Sequence, residues 1–100
     1  MSETIPNNLC EVVQELDKSL SQDDKEYLLE HGALSVHNSL GRWIRNNWGL
    51  WDEEDNKLKA KLKKLGFEHP DDMSNYIIKV YIEYLKNERL LWRRKNYLSL

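Results

Sequence analysis

The chain has 100 residues and a net charge of −2, with 40% hydrophobic and 32% charged residues. That balance excludes a wholly disordered chain and leaves room for one small core, with no separate substrate domain. No apolar run reaches membrane-spanning length, the opening residues carry no signal-peptide pattern, and the single Cys10 can form neither an internal disulfide nor a thiolate metal cluster.

The expectation is one cytoplasmic all-α domain over residues 1–100, with 1–7 flexible and 96–100 frayed. Strand alternation is scarce and helical periodicity runs throughout. The first helix is expected from about Asn8 to Ser19. Leu9, Val12, Val13, Leu16 and Leu20 make its apolar stripe, and Cys10 flanks that stripe as a half-buried, inert thiol. Ser21 then reads as an N-cap, with Asp24 completing a capping box. This second helix is short and ends near His31, with Gly32 as its left-handed stop.

A third helix is expected from Ala33 or Ser35 to Asn47. At about 100° per residue, Val36, Leu40, Trp43 and Ile44 share one face, and Asn38, Arg42 and Arg45 share the other. Gly49 ends it. Asp52 is the expected cap of a fourth helix, with Glu53, Glu54 and Asp55 in its first turn. Glu53–Lys57 and Asp55–Lys59 are spaced as i,i+4 pairs, and Leu58, Leu62 and Leu65 form a narrow stripe before Gly66. The fifth helix opens at His69-Pro70-Asp71-Asp72, where a first-turn proline and two acids suit a helix start. Its stripe runs through Met73, Ile77, Val80, Tyr81, Tyr84, Leu91 and Trp92. Glu88 falls inside that stripe, so either it is ion-paired in the core or the helix leaves the core near Asn87.

Residues 37–51 hold three of the four tryptophans. One reading is a helix-to-loop corner at the centre of the domain, built from Trp43, Trp48 and Trp51 and tied by Arg42 or Arg45 to Asp71 or Asp72. The other is a recognition surface, since tryptophan and arginine dominate binding hot spots. The string Ser39-Leu40-Gly41-Arg42-Trp43-Ile44-Arg45-Asn46-Asn47-Trp48-Gly49-Leu50-Trp51, followed by Leu65-Gly66-Phe67-Glu68-His69-Pro70-Asp71-Asp72-Met73-Ser74, resembles a family of small uncharacterised bacterial proteins. The resemblance covers about residues 8–82. It implies a small helical protein and no established activity, and the tail from Leu90 to Lys95 departs from the family pattern.

Charge is split along the chain. Residues 1–31 carry eight acids and two bases, whereas residues 73–100 carry six bases and two acids. No catalytic, cofactor or metal motif stands out, and the isolated glycines form no phosphate loop. The leading expectation is a non-enzymatic module of the immunity or inhibitor type. Glu11, Glu15, Asp23, Asp24, Glu26 and Glu30 would cover a basic cleft on a toxin or similar protein partner. A nucleic-acid regulator using Arg42, Arg45, Lys79, Lys86, Arg93 and Arg94 is the alternative, against which the pI of 5.9 argues. A small hydrolase or transferase using His37, His69 and Asp71 is the third reading, and requires those three to converge. A homodimer through helix five is compatible with all of them.

Overall fold

In the computed structural model, which describes the backbone of residues 5–98 and the side chains of residues 5–88, the cap signals start the first two helices at the expected places. Helix α1 spans Leu9–Ser19, and the Asn8 side chain accepts from the Glu11 N–H at 2.9 Å. Helix α2 spans Gln22–His31 behind a reciprocal capping box between Ser21 and Asp24, and stops at Gly32. Ile5 and Pro6 already pack inward ahead of α1.

The next segment is wound differently from the expected single α-helix. Ala33–Val36 forms a 3₁₀ turn, His37–Gly41 a π turn, and only Arg42–Asn47 is α-helical, as α3. The tighter and then wider winding shifts the phase of everything downstream. Ile44 and Arg45 turn inward, at 0% and 6% exposure, while Trp43 turns outward at 41%. The expected faces of this helix are therefore corrected: Arg45 belongs to the interior and Trp43 does not. Trp48 is buried, but Trp51 is exposed, so one of the three clustered tryptophans sits in the core.

Helix α3 ends in a Schellman turn, in which Leu50 N–H donates to Arg45 C=O at 3.2 Å past Gly49 in the left-handed region. Helix α4 spans Lys57–Lys64 and is capped by Asn56, not by Asp52; residues 53–55 precede the helix. Leu58 and Leu62 are buried, and Leu65 is exposed rather than part of the stripe. Asp55 still reaches Lys59, at 3.6 Å, and it reaches Lys63 at 3.0 Å. The hydrogen bond from Lys63 holds the Asp55 carboxyl below the usual carboxylate range.

Helix α5 spans Pro70–Leu98 and is the central element. It buries Met73, Ser74, Ile77, Ile78, Tyr81, Ile82 and Leu85, about half its circumference. That is wider than the single stripe expected, because α1, α2 and the 33–47 segment all pack on it. Beyond Leu85 it leaves the core: Asn87 and Glu88 are exposed, which settles the two readings of Glu88 for departure. The expected continuation of the stripe through Leu91 and Trp92, and the side chains of Arg93 and Arg94, fall outside the described residues, as do residues 1–4 and 99–100. The result is an all-α domain of five helices, with no strand among the described residues.

One polar knot joins three helices. Tyr81 of α5 donates its hydroxyl to Asp17 of α1 at 3.0 Å, and Lys25 of α2 pairs with the same carboxylate oxygen at 3.2 Å. Burial first, and then the Asp17 carboxylate, push the Tyr81 hydroxyl well above its ordinary range. The folded state thus favours the neutral phenol. Its contribution is complete below the unfolded phenol's ordinary value, about 10, and is lost as pH rises above it. Tyr81→Phe is expected to lose about 1 kcal/mol at pH 7 yet show a shallower stability loss on the alkaline side. Urea unfolding midpoints of the two proteins at pH 7 and pH 10.5 measure both effects.

Candidate functional site

Helix α2 buries one residue fully, Leu28, and half-buries Leu29 and Lys25. At 100° per residue, the side opposite those three carries Glu26, Glu30, Asp23 and Tyr27 within an arc of about 100°. All four are exposed, Tyr27 at 48%. His31 leans on the Tyr27 ring at a centroid distance of 4.3 Å. The face is therefore an aromatic side chain rimmed by three carboxylates. Tyr27 was not foreseen from the sequence as a site residue. Its signal was there: its spacing from Asp23 and Glu30 puts it on their side of the helix.

The other acids expected at this surface have local duties. Glu11 accepts from the Asn7 N–H at 2.9 Å and is half-buried. Glu15 pairs with Lys18 at 3.3 Å. Asp24 spends a carboxylate oxygen on the capping box. Glu26 accepts from Gln22 at 3.1 Å but stays exposed. Cys10 is exposed, not half-buried.

The second cluster is the tryptophan-arginine corner. Arg45 projects from α3 to the start of α5, with its side chain 7% exposed. It donates to Ser74 Oγ at 2.8 Å and to the His37 carbonyl at 3.3 Å, and lies 3.4 Å from the Asp71 carboxylate. The expected tie between the corner and Asp71 thus exists, through Arg45. Arg42 and Asp72 are exposed, and no ion pair involves either among the described residues. Because Arg45 is enclosed, it cannot join Arg42, Lys79 and Lys86 on an exposed basic face. Lys86 lies 3.6 Å from Glu83.

Asp71 also draws in both histidines. His37 Nε2 is 3.9 Å and His69 Nδ1 is 3.8 Å from its two oxygens. His69 caps α5: the Asp71 N–H donates to its Nδ1 at 3.0 Å, so a neutral His69 carries its proton on Nε2. Trp51 meets the His69 ring edge-on at 5.7 Å. His37, His69 and Asp71 therefore do converge. They form an open cluster, since His69 and Asp71 side chains are about half exposed. Among the described residues no group of three or more His, Cys, Asp or Glu is arranged to hold a metal ion. None of their helices is long and apolar enough to cross a membrane.

Comparison with curated proteins and with solved structures finds no match. A family model described as "Domain of unknown function (DUF6794)" matches residues 5–85, a span that contains α1 to α4, the described core of α5, and both strings that carried the resemblance. The chain belongs to that family of unknown function.

Proposed function

We propose that the protein is a non-enzymatic, protein-binding module of the immunity or inhibitor type, acting in the bacterial cytoplasm on a partner with a basic surface. The observation that carries this reading is the outward face of α2, where Asp23, Glu26 and Glu30 surround the exposed Tyr27. An aromatic anchor within a charged rim is the anatomy of a binding hot spot. Carboxylates that no core contact requires are free to steer a cationic partner. Toxins and nucleases with a basic cleft are the partner class that this charge fits. Capture from native lysate tests it. Wild type is expected to retain one stoichiometric basic protein at low salt and to release it at high salt. Asp23→Lys with Glu30→Lys should abolish capture, and Tyr27→Ala should weaken the purified complex about 30-fold, the scale of a hot-spot residue. Equal capture by the charge-reversed protein refutes the reading.

The convergence of His37, His69 and Asp71 favours a second reading, a small hydrolase or transferase. His69 Nε2 would be the acid–base group there, with Asp71 and Trp51 orienting the ring. Turnover of a panel of chromogenic esters and phosphates that disappears in His69→Gln, with the fold retained, would support it. No turnover above buffer by wild type would remove it for those substrates.

A further inference from the structure

We propose that the end of the bundle from which α5 emerges is covered by the 89–98 segment of a second copy of this chain, making the protein a two-fold dimer. The argument begins with lengths. At 1.5 Å per residue, the 29 residues of α5 extend about 43 Å, whereas α1 and α2, with 11 and 10 residues, extend about 16 and 15 Å. The short helices cannot cover the long one. The last buried residue of α5 is Leu85, and the helix continues about 20 Å past it.

Two grooves flank α5 at that point. One, of 700 Å³, lies against α1, between Val13, Asp17 and Tyr84. The other, of 540 Å³, lies against α2, between Glu26, Leu29, Leu85 and Glu88. Their floors are apolar or aromatic: Val13, Leu29, Tyr84 and Leu85. Asp17, Glu26 and Glu88 give them acidic rims. The Lys25 ammonium on the second groove already pairs with Asp17.

The occupant is argued from charge and geometry. Residues 89–98 contain Arg89, Arg93, Arg94 and Lys95 with no acid, and interleave Leu90, Leu91, Trp92, Tyr97 and Leu98. That composition complements an apolar floor with an acidic rim. The chain's own segment cannot turn back to fill the grooves, because a continuous helix carries residues 93–98 at least about 13 Å along the axis from Tyr84. A second copy, antiparallel about a two-fold axis, brings its basic segment to the first copy's grooves and receives the first copy's segment in its own. Both contacts form at once and no apolar stretch of α5 is left over. This dimer is independent of the function proposed above, which uses Asp23, Tyr27 and Glu30 on the outer face of α2.

Light scattering behind size exclusion on the full chain, from 1 to 200 µM at 50 and 500 mM salt, tests the proposal. The expected species has twice the 12.0 kDa chain mass, with a dissociation constant at least tenfold weaker at high salt. Leu91→Glu with Trp92→Glu should give a monomer with an unchanged core, read by the unfolding midpoint. Arg93→Glu with Arg94→Glu, and separately Glu26→Lys with Glu88→Lys, should each be monomeric, and mixing the two should restore the dimer mass. A 12.0 kDa species at every concentration overturns the proposal and leaves the grooves to a different chain. So does a dimer that survives the Leu91/Trp92 change, or a charge-swapped pair that stays monomeric when mixed.

Discussion

Replacing Arg45 by methionine is expected to lower stability by about 3 kcal/mol, which for a domain of this size is roughly 12–24 °C in the thermal midpoint. The guanidinium is almost fully enclosed and serves three partners on two elements: Ser74 Oγ, the His37 carbonyl and the Asp71 carboxylate. Methionine fills much of the volume but satisfies none of them. Ser74 is wholly buried, and the His37 carbonyl lies in the π turn, where the backbone ladder is irregular. Losing a donor there costs more than losing a surface ion pair. Arg45→Lys should cost nearly as much, because a single ammonium cannot reach three diverging acceptors. Asp71→Asn should cost under about 1 kcal/mol, since that carboxylate is 45% exposed and screened by water. The ordering Met ≈ Lys ≫ Asn, measured by urea unfolding, checks the account. A loss below about 1 kcal/mol for Arg45→Met would mean that the clamp does not organise the corner.

This clamp also shows how far the residues could be read without coordinates. A tie from Arg42 or Arg45 to Asp71 or Asp72 was legible, because an arginine-rich corner and an acidic helix start need each other. Which arginine makes the tie was not. At a constant 100° per residue, Arg45 lies opposite Ile44's stripe-mates Val36 and Leu40. The 3₁₀ and π turns over 33–41 break that constancy, and propensity says nothing about winding. The same phase shift exposes Trp43. The width of the buried face on α5 was hidden for a different reason. Ile78, Ile82 and Leu85 lie outside a single stripe, and a helix covered from several sides buries more than one. Helix stops were easier. Gly32, Gly49 and Gly66 all carry positive φ where a stop was expected. At the proposed binding face, the acids of α2 were legible as a charge run. Their division into exposed and locally engaged groups needed hydrogen-bond partners that no charge count contains.

The start of α4 was misread for a reason that leads to the second large effect. Asp52 and Asn56 can both accept from a helix N-terminus. Asn56 prevails because its amide does two things: Oδ1 accepts from Lys59 N–H at 2.8 Å, and Nδ2 donates to the Trp48 carbonyl at 2.9 Å. A carboxylate has no hydrogen to offer that carbonyl. The Lys59 ammonium adds a bond to the Asp52 carbonyl, so the loop from Trp48 to Asp52 is pinned to α4 twice. Gly49 sits inside this fastening at φ 68. A Cβ there would lie 2.8 Å from Asp52 Oδ2 and 2.9 Å from Asn56 Nδ2. The Asp52 side chain can swing away, but the Asn56 amide can move only by giving up a bond. Gly49→Ala is therefore expected to combine the left-handed backbone cost, about 1–2 kcal/mol, with partial loss of the Asn56 fastening, for about 2–3 kcal/mol in total. Asn56→Ala alone should cost about 1–2 kcal/mol. If the two act through one fastening, the double variant costs less than the sum of the singles. Strict additivity in the unfolding midpoints would show that Gly49 strains the turn without disturbing the cap.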